Sequence, residues 1–166
     1  MLKLEDVVFS YEKGTEIIKG ININIEEGKK IVFLGENGSG KSTLFLLMNG
    51  LLKPEKGNLY FKGEKIGYKK KELDKLREKV GIVFQDPEIQ IFAPTVMQEV
   101  AFGLQNLGYS SDETEERALE AMRALEIENL RNTPCHHLSY GQKKRVAIAS
   151  ITAMKPEILF SLLLKR

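Results

Sequence analysis

The chain has 166 residues, 42% of them hydrophobic and 29% charged, with a formal net charge of +2. That balance suits a single soluble globular domain, and it excludes the strongly basic field of a nucleic-acid or membrane-surface binder. The one cysteine, Cys135, excludes an intrachain disulfide and fits a reducing cytoplasm; no basic-then-apolar leader opens the chain, and no apolar run is long enough to span a bilayer.

Leu2, Leu4, Val7 and Phe9 read as a strand, followed by Tyr11 and a turn at Gly14. Ile21, Ile23 and Ile25 alternate with Asn22 and Asn24, the period of two that predicts a half-buried strand. The apolar run Ile31–Leu34 predicts a short buried strand. A helix is expected from Lys41 to about Leu52, stopping before Pro54. A strand or hairpin edge follows around Gly63, then a charged helix from Lys70 to Lys79 with a solvated lysine face. Val80–Phe84 predicts a second short buried strand that ends at Gln85 and is broken by Asp86-Pro87.

Pro94-Thr95 opens the next predicted helix, which ends near Gly108. Ser110 with Glu113 is a capping-box pattern, and Ala118, Leu119, Met122 and Leu125 form the apolar stripe of the helix it starts. Ser139 caps a basic-faced helix stopped by Pro156, and residues 158–164 read as a last buried strand. There is no internal repeat or low-complexity segment.

Gly35-Glu36-Asn37-Gly38-Ser39-Gly40-Lys41-Ser42, followed by Thr43, satisfies the pattern G-x-x-x-x-G-K-[ST] of a phosphate-binding P-loop. The glycines let successive backbone N–H groups converge on one anion, and the helix starting near Lys41 adds its unpaired N–H groups. Lys41 is expected to reach the β- and γ-phosphates of a nucleoside triphosphate, with Ser42 Oγ on Mg²⁺.

The segment Leu138-Ser139-Tyr140-Gly141-Gln142 resembles the LSGGQ signature of ABC ATPases, with Tyr140 where that family has glycine. The resemblance implies that Ser139, Gly141 and Gln142 form a helix N-terminus offered to the γ-phosphate held by a second ATP-binding subunit. It also implies that Gln85 contacts Mg²⁺ and the attacking water, and that Tyr11 stacks on adenine. Phe84-Gln85-Asp86-Pro87-Glu88-Ile89-Gln90-Ile91-Phe92-Ala93-Pro94-Thr95-Val96, with Glu99-Val100-Ala101-Phe102-Gly103, and the run Pro134-Cys135-His136-His137-Leu138-Ser139 are similar to the ATPases of energy-coupling-factor importers of cobalt, nickel and vitamins. His136 and His137 have no nearby carboxylate or thiol cluster and read as helix-entry packing or hydrogen-bonding groups, not as metal ligands.

The implied fold is α/β, a P-loop NTPase (ABC ATPase) core with an antiparallel β subdomain and a helical signature subdomain at about 86–150, forming one partial domain with the C-terminal core strands missing. The implied cofactors are ATP and Mg²⁺. The implied partners are a second ATP-binding subunit, identical or not, an integral-membrane coupling subunit and a substrate-binding membrane subunit. Nucleic acid is not among them, and the implied place is the cytoplasmic face of a prokaryotic cell membrane. The family continues past Phe160 with an Asp-Glu-Pro and a later histidine, whereas here the last aspartate is Asp112 and the last histidine His137. The expectation is therefore a truncated or frameshifted ABC ATPase with 161–166 out of frame. The alternative to a transport ATPase subunit is a non-hydrolysing nucleotide-binding remnant or a non-functional fragment.

Overall fold

A computed structural model describes residues 1–162, in two compact units, Met1–Arg77 and Glu78–Arg166. The first unit is built on an antiparallel sheet. Strands β1 (Leu2–Ser10) and β2 (Glu16–Ile25) pair with Leu2 opposite Ile25 and Phe9 opposite Ile18. Helix α1 (Lys41–Met48) follows, then β3 (Lys56–Phe61) and β4 (Glu64–Lys65), giving the strand order β2-β1-β3-β4. Leu2, Leu4, Val7 and Phe9 of β1 are buried with Leu59 of β3 and Leu44, Phe45, Leu47 and Met48 of α1.

The alternation along β1 slips between Leu4 and Val7, where Asp6 takes a positive φ of 48° and exchanges hydrogen bonds with Asn22. That bulge puts Leu4 and Val7 on the same buried face despite their odd spacing. Gly57 of β3 passes beside it, where a Cβ would overlap the Asp6 carbonyl, so only glycine fits. Helix α2 (Lys70–Lys79) exposes Lys70, Lys71, Asp74 and Lys75 and buries Leu76. Its Arg77 donates to the Gly50 carbonyl at 2.8 Å, placing a cation at the C-terminal end of α1.

The second unit begins with β5 (Val80–Val83), buried at every position, and a single 3₁₀ turn at Pro87–Ile89. Helices α3 (Val96–Asn106), α4 (Ser111–Ala124) and α5 (Tyr140–Thr152) then pack together. Val96, Val100, Leu104, Ala118, Met122, Ile127, Val146 and Ala149 form their core. Strand β6 (Ile158–Ser161) returns parallel to β5, Val80 opposite Ile158 and Ile82 opposite Phe160. Of the apolar stripe read on α4, Ala118 and Met122 are fully buried core, Leu125 packs half-buried against it, and Leu119 is half-buried.

Two expectations need correction. Ile31–Leu34 is neither a strand nor buried: Val32 is 76% and Leu34 90% exposed, and only Phe33 tucks in, edge-to-face on Phe45 at 5.4 Å. A strand buried on both faces needs hydrogen-bonded neighbours, and no described strand pairs with this run. Of the run read as a last buried strand over 158–164, Ile158–Ser161 is a strand and only partly buried, with Leu159 exposed; residues 163 and 164 lie outside the described residues, as do 165 and 166.

Candidate functional site

The P-loop lies in the first unit and is shaped by two left-handed glycines, Gly38 (φ 81°) and Gly40 (φ 85°). An L side chain is strained at these angles, which accounts for glycine at both. Gly35 is tight for another reason, since a Cβ there would meet Ser39 Oγ at 2.8 Å. Helix α1 starts at the loop's end on Gly40, with no side-chain cap and no acidic residue in its first turn. The N–H groups of its first turn therefore face outward with the positive end of the helix dipole.

Lys41 folds back over the loop, its Nζ donating to the Gly35 carbonyl at 2.7 Å, the Glu36 carbonyl at 2.6 Å and Ser39 Oγ at 3.1 Å. Asn37 and Ser42 are exposed, and Thr43 is buried. The Thr43 hydroxyl reaches the Tyr11 hydroxyl at 3.2 Å. Tyr11 lies just past β1, is 60% exposed, and is braced edge-to-face by Phe9 with centroids 5.0 Å apart. The structure thus brings Tyr11 together with the start of α1. A nested loop, a cation, an uncapped helix start and a hydroxyl suit a polyphosphate carrying a hard divalent cation.

In the second unit the predicted residues Ser139, Gly141 and Gln142 open α5. Ser139 is its N-cap: Oγ accepts from the Gln142 N–H at 3.3 Å, and Gln142 Oε1 accepts from the Ser139 N–H at 2.8 Å. Accepting leaves the Ser139 hydroxyl proton to be donated elsewhere. Around Gly141 a Cβ would meet nothing within 4 Å, so this helix start faces open space. Gln85 is exposed at the end of β5, and the Tyr140 hydroxyl makes a long contact, 3.4 Å, to its backbone carbonyl.

Sequence reasoning missed the residues that hold the loop after β5. Glu99, buried on α3, accepts the N–H groups of Phe92 and Ala93 at 3.0 and 2.9 Å. Lys143 of α5 pairs with Glu88 at 2.6 Å. Gln90 bonds to Phe84, just past the end of β5, and to α5. Their only local signal was a polar residue among apolar ones, as Gln90 stands between Ile89 and Ile91. Cys135 is buried nearby, where burial first and the Glu99 carboxylate second push its thiol up. His136 and His137 are exposed, and no group of three or more potential metal ligands gathers among the described residues.

Known proteins share this arrangement. The family described as ABC transporter matches residues 18–161. This chain belongs to the ABC transporter family. It is 52% identical over 159 residues to the energy-coupling factor transporter ATP-binding protein EcfA of Methanothermobacter thermautotrophicus, covering 96% of this chain and 51% of the relative. The EcfA protein of Methanocaldococcus jannaschii is also 52% identical, with 57% of it covered. The chain thus spans about half the length of these curated relatives.

Among solved ABC structures, CbiO1 of Clostridium perfringens, part of the cbiONQ transporter complex, matches with a TM-score of 0.85 at 47% identity, over 96% of this chain and 64% of that one. A cassette solved as a dimer in a post-hydrolysis state with ADP and Pi matches with a TM-score of 0.88 at 35% identity, over 97% of this chain and 73% of that one. The expected fold, an ABC ATPase α/β domain with an antiparallel sheet and a helical part, is the fold found. Membership of this family implies ATP binding.

Proposed function

We propose that this chain carries the nucleotide-binding and signature elements of the ATP-binding subunit of an energy-coupling-factor-type importer. The observation that carries the reading is the start of α1: a helix N-terminus without a cap, entered through Gly38 and Gly40, with Lys41 held over the loop. Gly35 to Gly40 supply backbone N–H groups to the phosphates of MgATP. Lys41 would exchange its loop carbonyls for phosphate oxygens, and Ser42 would hold the Mg²⁺; for Gln85, in the second unit, the family resemblance implies a contact to Mg²⁺ and the attacking water. Bound Mg²⁺ supplies charge neutralisation of the phosphates. Tyr11, exposed and braced by Phe9, offers its ring face to the adenine.

The outward-facing start of α5 supports a role for Ser139, Gly141 and Gln142 against nucleotide on a second ATP-binding subunit, identical or not. An exposed aromatic pair, Phe92 on Phe102 at 4.7 Å, with Ile89 exposed as well, supports docking on a membrane subunit. Relatives named as energy-coupling factor subunits and as part of a cbiONQ complex point the same way. The proposed place is therefore the cytoplasmic face of the cell membrane, held by partners. Hydrolysis and import are proposed of the whole subunit, with the transported metal ion or vitamin chosen by a membrane partner.

The test is titration of the chain with a fluorescent ATP analogue and Mg²⁺. Saturable binding that ATP displaces and EDTA weakens is expected, and a folded chain with no saturable signal would contradict the reading.

A further inference from the structure

Three side chains tie α5 to the segment that follows β5. Tyr140 reaches the Gln85 carbonyl, Lys143 pairs with Glu88, and Gln90 Nε2 donates to the Ala147 carbonyl at 2.7 Å and to Ser150 Oγ at 3.3 Å. Residues 140, 143 and 147 are spaced three and four apart and so share one face of the helix. The segment is strapped along that face from the first turn to the middle.

Gln90 differs from the other two. Lys143–Glu88 has an exposed carboxylate and Tyr140 a long contact, and both are weak ties in water. Gln90 is half-buried and uses both ends of its amide: Oε1 accepts the Phe84 N–H at 3.0 Å while Nε2 donates to α5. Only one orientation of the amide satisfies an N–H on one side and a carbonyl on the other, so its direction is fixed by its neighbours. One side chain therefore fastens the last residue before Gln85 to the middle of the helix that Ser139 begins.

We propose that Gln90 is a positioning residue that makes Gln85 and Ser139 move as one piece. The meaning of this link for nucleotide chemistry rests on the roles proposed above for those two residues, whereas the link itself is testable without nucleotide. Gln90 touches no nucleotide in this account; it sets where Gln85 stands relative to the start of α5.

The experiment is ¹⁵N NMR with amide hydrogen exchange on the full chain, as wild type, Gln90→Leu and Gln90→Glu, each with and without Ser139→Ala. In wild type the Gln90 side-chain NH₂ should be slowly exchanging, and Ser139→Ala should shift the amides of Gln85 and Glu88. Gln90→Leu should speed exchange at Phe84 by about tenfold, as expected for one lost hydrogen bond, and should abolish the shift transmitted from Ser139. Gln90→Glu keeps the acceptor but loses the donor, so Phe84 should stay protected while transmission is still lost.

A purely structural role would not separate protection from transmission. Equal acceleration at Val100 and Val146, or transmission that persists in both variants, would overturn the proposal. If Gln90→Leu does not fold, Gln90→Glu decides, and a freely exchanging wild-type Gln90 amide also overturns it. Failure of wild type to bind MgATP would remove the nucleotide reading while leaving the link to these spectra.

Discussion

The two helix starts proposed to meet nucleotide are built in opposite ways. Helix α5 begins closed, with a reciprocal Ser139–Gln142 capping box and a body packed through Val146 and Ala149. Helix α1 begins open, with no cap, left-handed glycines before it and a lysine lying over the loop. A capped start is complete in itself and can meet a ligand only with what the cap leaves over, here the Ser139 hydroxyl proton and the exposed Gly141. An uncapped start leaves N–H groups seeking an acceptor, and in this account a phosphate fills that need. On the function proposed above, the difference separates a site that holds nucleotide from one that is presented to it.

The contrast can be tested by substitution. Leu104→Ala, in the fully buried core that supports α5, should cost about 2–5 kcal/mol in urea unfolding and leave nucleotide affinity unchanged once the protein is folded. A comparable loss of affinity would mean that the two starts are not independent sites. Lys41→Ala should weaken MgATP by about a hundredfold, roughly 3 kcal/mol, in equilibrium dialysis, because a charged hydrogen-bonding group is lost from the phosphates. Its unfolding midpoint should hardly change.

Ser139→Ala should do the reverse, costing about 1 kcal/mol of stability for the lost cap while the single chain binds nucleotide as before. Smaller still is the effect of acid on the cap of α4. The Ser110 hydroxyl, and then its N–H, hold the Glu113 carboxyl below the ordinary carboxylate range. A depressed folded value means that this contribution is present above the unfolded carboxylate value and is lost as pH falls through the folded one. Urea midpoints below pH about 4 should therefore fall less for Glu113→Gln than for wild type.

Val32→Asp should change stability least, by no more than about 0.5 kcal/mol, because that side chain faces solvent in this chain. A loss of several kcal/mol would show that the run before the P-loop is packed after all.

What was legible in the sequence follows the reach of each interaction. The caps at Thr95, Ser110 and Ser139 are closed by residues three positions on, and the structure shows a capping box at each. The P-loop pattern is equally local, and its glycines take the backbone angles that the pattern implies. Ile31–Leu34 looked the same as Val80–Val83 in apolar content, yet only the latter is a buried strand, because β6 pairs with it from more than seventy residues away. An apolar run states what it would bury, not whether a partner is there to bury it.

Gln90 was illegible for a related reason. Its role depends on the Ala147 carbonyl, which lies fifty-seven residues on and carries no side-chain signal.

The central claim, that the open start of α1 is the nucleotide site, is tested most directly by mapping MgATP onto the ¹⁵N spectrum of the chain. Saturable shifts are expected to concentrate at Gly38, Gly40, Lys41, Ser42 and Thr43, and to be absent in Lys41→Ala. Saturable binding whose shifts fall elsewhere, or binding that survives unchanged in Lys41→Ala, would contradict it.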